Sequence, residues 1–292
     1  MARLYVVATP IGNLSDVSAR MLDTLRQVRL IAAEDTRVTG NLLRHFGIST
    51  PMTSCHRHNE GEKAAGIVAR MVREDFDAAL VTDAGTPAIS DPGHLLVREA
   101  VEAGLEVLAV PGPSAMAAAL SVSGMDAREF AFYGFLPRER SDLRKKLLAI
   151  ARGVRVAVVH ESPHRILTLM ETVAETLPGC RACVCCDLTK RYEKTLRGSA
   201  EDVLEALRAN PKRDKGEYCV ALDVSGVSLP EPQQAAPDVS PESRAFGLLF
   251  SGLGPQEAVA ALVAGGLRRN EAKRAVLRVQ AWREGAARPE EP

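Results

Sequence analysis

Short apolar runs alternate with helix-patterned segments through the first 110 residues, and no other feature constrains this chain as much. Residues 3–8, 30–33, 78–82 and 106–110 read as strands, with helices over 17–28 (capped by Ser15 or Asp16), 38–46, 60–74 and 93–103. The runs are continuously hydrophobic, as strands of a parallel sheet covered on both faces must be. After Pro111 the pattern restarts. A small-residue helix over 114–123 leads to strand 130–133, helix 141–152, strand 155–159 and helix 163–177; strand 182–187, a polar loop, helix 200–208 and strand 218–224 follow. The fold class is therefore α/β, with one α/β domain over 1–112 and a second over 113–226. A Pro-, Gln-, Ser- and Ala-rich linker is expected over 227–240, and a small helical domain over 241–292. Its helices fall near 242–250, 255–264 and 270–282, with Gly265 and Gly266 breaking the last two as in a helix-turn-helix hairpin.

Charge and cysteine usage narrow the function classes. The 37 basic residues balance 37 acidic ones, so no global field draws the chain to a polyanion and any such partner must be met by a local patch. No apolar run approaches the roughly 18 residues that span a bilayer, so a cytoplasmic protein without a membrane partner is expected. The six cysteines read as free thiols. Cys183 and Cys185 share one face of a strand while Cys186 points away, so with Cys180 they cannot converge on one tetrahedral ion, and no metal is expected.

Three apolar strands end in tight Gly/Pro turns: Thr9-Pro10-Ile11-Gly12-Asn13-Leu14, Asp83-Ala84-Gly85-Thr86-Pro87 and Pro111-Gly112-Pro113-Ser114-Ala115. Loops beyond the carboxyl ends of parallel strands form the ligand crevice, and glycine lets backbone groups approach a ligand closely. Neither nucleotide fingerprint is present, because no Gly-Lys pair occurs and the first turn carries one glycine where the dinucleotide motif needs three. A crevice of backbone groups plus Asp83 suits a ligand with a ribose, an amino-acid end and a cationic centre, as in S-adenosylmethionine.

These turns occur in order with Ala33-Glu34-Asp35-Thr36-Arg37, His58-Asn59-Glu60, Ile89-Ser90-Asp91-Pro92-Gly93, Gly134-Phe135-Leu136-Pro137-Arg138 and Glu161-Ser162-Pro163-His164-Arg165. The set resembles the ribosomal RNA methyltransferases of the tetrapyrrole-methylase-like superfamily over about residues 3–224, and the helical tail looks like their RNA-associated domain. The resemblance implies class III S-adenosylmethionine-dependent 2'-O-methylation of a cytidine in the decoding region of small-subunit rRNA, by a homodimer. It implies a donor site at Pro10, Gly12, Asp83, Thr86, Ser114 and Ala115, with further contacts at Ser162 and Gly216. Two departures concern the substrate pocket: His160 stands where the family usually has an aromatic, and Asp187 where it has a glutamate.

Methylating a ribose hydroxyl requires alignment and gains from a base. Glu161 and Asp35 rank first for that role because each follows a strand. Lys190 is a candidate for positioning the substrate or lowering a base. Arg37, His58, Arg138 and Arg165 are candidate RNA contacts, as are Lys273, Arg274 and Arg278, which share one flank of the last helix; each also fits a solvated or ion-paired surface. Arg140, Arg144, Lys145 and Lys146 form a further basic cluster. Two alternatives stay open: a methyltransferase acting on a small porphyrinoid, and a ribosome-assembly factor that merely holds S-adenosylmethionine.

Overall fold

The computed structural model describes residues 2–229 and 240–286, with side chains through 282. The chain divides into two units, Met1–Leu229 and Pro230–Pro292. The first holds two five-stranded sheets.

Sheet one comprises β1 (Arg3–Val7), β2 (Leu30–Ala33), β3 (Met52–Ser54), β4 (Ala78–Val81) and β5 (Glu106–Val110), ordered β3-β2-β4-β1-β5. All its ladders are parallel. Helices α1 (Ala19–Gln27) and α2 (Thr36–His45) cover one face, where Met21, Leu25 and Leu43 pack on Val7, Ile31 and Val81. Helices α3 (Glu60–Glu74) and α4 (His94–Glu102) cover the other, with Ala64, Met71 and Leu96 on Leu4, Ala32 and Leu80. The helix after β1 and the helix after β4 therefore lie on opposite faces, and the gap between these adjacent strands is where ligands bind in such sheets. Helix α1 begins at Ala19 rather than 17 because Leu14–Asp16 forms its own 3₁₀ turn; the Ser18 hydroxyl, not Ser15 or Asp16, accepts the Met21 N–H at 3.1 Å.

Sheet two contains β6 (Ala131–Phe135), β7 (Val156–Glu161), β8 (Arg181–Cys186), β9 (Lys194–Ser199) and β10 (Tyr218–Asp223), ordered β6-β7-β10-β8-β9. Only β6 and β7 pair in parallel. Strand β9 falls in the expected polar loop. Its exposed Lys194 and Arg197 mask it in the sequence, and it is held by pairing with β8 along the sheet edge. Helices α6 (Arg140–Gly153), α7 (Ile166–Thr176) and α8 (Ala200–Arg208) cover one face. Helix α5 (Ala115–Ser123) covers the other, where Ala119 and Leu120 meet Cys183, Cys185 and Cys219. All six cysteines are free, and the Sγ atoms of Cys183 and Cys185 lie 3.8 Å apart in this core. Among the described residues no group of three or more His, Cys, Asp or Glu side chains could hold a metal, and no helix is long and apolar enough to cross a membrane.

The described residues of the second unit form three helices, α9 (Pro241–Phe250), α10 (Pro255–Ala264) and α11 (Arg269–Ala286). Pro241 and Pro255 occupy first turns, where their missing N–H costs nothing. Ala245, Leu249, Ala258, Leu262, Ala272, Val276 and Val279 form its core. The expected linker lies largely outside the described residues.

Candidate active site

The three Gly/Pro turns converge. Thr9 and Gly85 exchange backbone hydrogen bonds at 2.9 and 3.0 Å, and the Thr9 hydroxyl donates to the Thr82 carbonyl at 3.0 Å. The Thr86 hydroxyl reaches the Pro113 carbonyl at 3.4 Å, and a Cβ on Gly85 would stand 3.5 Å from Ile11 and 3.9 Å from that carbonyl. Gly85 sits at φ +87°, where a side chain would add strain to a site already crossed by two neighbouring loops.

Where these turns face sheet two there is a cavity of about 360 Å³. Ile11, Ala84 and Ala115 form one wall and Leu188, Tyr218 and Cys219 another. Its polar rim carries Ser90, Asp91, Glu161, Ser162 and Glu217. The ring of His160 lies at the cavity edge, 5.0 Å from that of Phe132 and 5.9 Å from that of the exposed Phe135. Burial depresses the His160 pKa, so the imidazole is neutral near pH 7.

Of the residues singled out from sequence, Ala115, Ser162 and Glu161 line this cavity. Pro10, Gly12, Asp83, Thr86, Ser114 and Gly216 belong to the loops that shape it. The Asp83 carboxylate accepts the Asp35 N–H at 3.1 Å while the Asp83 N–H donates to Glu34, which ties the loops after β2 and β4 together. Glu161 is 3% exposed; its Oε1 accepts the Ser162 N–H at 2.8 Å, and its Oε2 makes no hydrogen bond and lies 3.4 Å from the Arg165 guanidinium. Asp35 does not line the cavity. It caps α2 and grips the Arg37 guanidinium, whose hydrogen bonds pull the carboxyl down to about 2.

Lys190 reaches across from sheet two. Its Nζ lies 3.0 Å from Asp187 and 2.9 Å from Glu217, and a Cβ on Gly12 would fall 2.5 Å from its Cγ. Partial burial opposes the ammonium, but the two carboxylates prevail and raise its pKa, so Lys190 is a fixed cation. The turn that presents it runs through positive φ at Asp187 and Thr189, and Gly216 is required opposite because a Cβ there would meet the Asp187 carboxylate at 2.6 Å.

The basic candidates divide. Arg37 and His58 are exposed, and Arg138 is exposed with no ion pair to any described residue. Arg165 is mostly buried and donates to the Leu136 and Pro137 carbonyls at 3.5 and 2.8 Å. Arg140 and Arg144 both pair with Glu175, and Lys145 pairs with Asp142. Lys146 stands over the Tyr133 ring. Lys273 and Arg274 are exposed on α11, whereas Arg278 pairs with Glu242 of α9 at 2.9 Å, an acid the local sequence does not reveal. Sequence reasoning passed over Asp91, which carries the least compensated carboxyl in the cavity. Its only signal was its place in a Ser-Asp-Pro-Gly string.

Comparison with known proteins gives a consistent picture. The sequence profile of the Tetrapyrrole (Corrin/Porphyrin) Methylases matches residues 3–204. A protein of Pseudomonas aeruginosa named ribosomal RNA small subunit methyltransferase I is 40% identical over 271 residues, covering 91% of this chain and 94% of that one. Its namesake in Xylella fastidiosa is 41% identical, covering 91% and 96%. Among solved structures, diphthine synthase superimposes with a TM-score of 0.59 at 12% identity, covering 78% of this chain and 92% of that one. The methyltransferase CobJ does so at 0.57 and 17% identity, covering 80% and 98%. At such identities these last two show the shared fold.

Proposed function

Because the chain belongs to the tetrapyrrole methylase family, and within it to the small-subunit ribosomal RNA methyltransferase I family, we propose that it methylates the ribose 2'-hydroxyl of a cytidine in the decoding region of small-subunit rRNA. The enzyme is an S-adenosylmethionine-dependent methyltransferase. The observation that carries the reading is the convergence of the turns after β1, β4 and β5 on one cavity. Its volume suits a nucleoside-sized ligand, its walls are apolar enough for an adenine, and the buried Oε2 of Glu161, ion-paired with Arg165 but without a hydrogen bond, can accept one. S-adenosylmethionine, when bound there, supplies an electrophilic methyl group on a sulfonium.

The protein's own residues have separable roles in this reading. Ala115 and Ser162 contact the donor, as do the Pro10–Gly12 turn and the backbone around Gly216. Asp83, Thr86 and Ser114 hold the loops in register. Lys190, fixed by Asp187 and Glu217, places a positive charge beside the Gly12 turn. Glu161, anchored by Ser162 and Arg165, orients the polar side of the bound molecules. Arg37, His58 and Arg138, with Lys273 and Arg274, meet RNA phosphates, whose binding a neutral chain must achieve through local patches. The enzyme works as a cytoplasmic homodimer.

The test is incubation with methyl-labelled donor and either isolated small ribosomal subunits or naked rRNA. Label is expected in a cytidine ribose under at least one condition; none under either removes the reading. Replacing Lys273, Arg274 and Arg278 together by alanine should leave donor affinity unchanged. RNA binding should weaken, with a salt slope smaller by about two to three. An unaltered slope would take the last helix out of the RNA interface.

A further inference from the structure

Asp91 is the one acid on the cavity rim that no described residue contacts by a hydrogen bond or ion pair. It sits in the segment between β4 and α4, partly buried, and makes no hydrogen bond or ion pair with any other described residue. The other acids near the turns are engaged: Asp35 by Arg37, Glu161 by Ser162 and Arg165, Asp187 and Glu217 by Lys190. The segment is also held in a costly shape. Ala88 and Ser90 adopt φ of +64° and +75°, and non-glycine residues are placed there only when the surroundings over-determine them. Here the surroundings are Glu60, whose buried Oε1 accepts the N–H groups of Gly93, Leu95 and Leu96, and Gly134, where a Cβ would meet the Ser90 hydroxyl at 2.7 Å.

We infer that the Asp91 carboxylate accepts the proton of the acceptor hydroxyl during methyl transfer, a role that rests on the function proposed above. The hydroxyl O–H bond breaks and its proton passes to Asp91. The oxygen–methyl bond forms as the methyl–sulfur bond breaks, and that electron pair stays on sulfur, leaving a neutral thioether. Asp91 then releases the proton to water. Its surroundings suit a general base. Burial, with the charges of Glu34 at the end of β2 and Asp83 after β4, pushes its carboxyl up to about 6 against the opposing Arg57 beyond β3. His160, Glu161 and Glu217 share the cavity. Of these, His160 is neutral and the other two are already matched by cations. A base with a pKa near the working pH is both ionised and able to take a proton.

The test compares the full-length parent with Asp91→Asn, using tritiated S-adenosylmethionine and small ribosomal subunits. The parent's single-turnover rate should rise with pH up to about 6 and then level off. Asp91→Asn should be slower by about 100-fold or more, without that rising limb and with donor affinity within about threefold of the parent. Stability supplies an independent readout. A carboxyl raised in the fold costs stability as pH climbs from its ordinary range through about 6, so Asp91→Asn should melt no lower than the parent at pH 7. A parent that labels no ribose in either small subunits or naked rRNA fails the function proposed above, whatever Asp91 does. With an active parent, three outcomes each overturn the inference: a variant rate within about fivefold of the parent, donor affinity lost in proportion to rate, or a variant that melts well below the parent at pH 7.

Discussion

Replacing Glu60 by alanine is expected to destabilise the α/β unit by about 3–5 kcal/mol and to lower its Tm by roughly 10 °C. Glu60 is 2% exposed, and one of its oxygens accepts three backbone N–H groups, from Gly93 at 2.9 Å, Leu95 at 2.7 Å and Leu96 at 3.4 Å. These are the orphan donors at the start of α4, which has no side-chain cap of its own. Truncation leaves them beside Leu80 and Leu96 without a partner, and each unmet buried donor costs about 1–3 kcal/mol. It also releases the segment that carries Ser90 and Asp91. Glu60→Gln keeps an acceptor oxygen and should lose about half as much. Denaturant unfolding of both variants decides the matter: a loss under about 1 kcal/mol for the alanine variant would mean that Glu60 does not hold this segment.

Filling the cavity from its helical side should abolish donor binding without unfolding the protein. Ala115, at the first position of α5, lines the cavity and packs at the margin of the core beneath that helix. Phenylalanine in its place puts a ring into the space the donor would occupy, and the cavity mouth gives that ring somewhere to go without prying apart the core. The dissociation constant for S-adenosylmethionine, measured by calorimetry, is expected to rise by at least about 100-fold, roughly 2.7 kcal/mol, while the Tm stays within a few degrees of the parent. Donor affinity within about threefold of the parent would place the donor elsewhere.

The two variants probe different kinds of information. Ala115 was legible because the Pro-Gly-Pro-Ser-Ala turn follows an apolar strand, and parallel strands put their ligand loops at one edge by topology alone. The alternating runs likewise marked four of the five strands of the first sheet, the three-residue β3 being too short to show in the pattern, and the spacing of Cys183 and Cys185 marked a shared buried face. Strand β9 escaped because an edge strand needs little apolar content. Arg140, Arg144 and Arg278 resembled free cations because the acids that occupy them lie about 31 to 36 residues away in sequence, and Arg165 because the carbonyls it donates to lie about 28 residues away. Asp91 escaped for a related reason: nothing local in a Ser-Asp-Pro-Gly string tells whether the carboxyl is solvated.

Sequence alone therefore determined the layered α/β architecture, the glycine-bearing corners that close on one another and the family to which the chain belongs, since periodicity and turn chemistry are written within a few residues. Which side chains are spent on structure and which remain open for chemistry was decided only in three dimensions. A carboxylate's ionisation and a guanidinium's availability depend on burial and on partners from distant segments. Those distances are set when Glu60 ties the Asp91 segment and the start of α4 to α3 and when Lys190 reaches from the second sheet to Gly12.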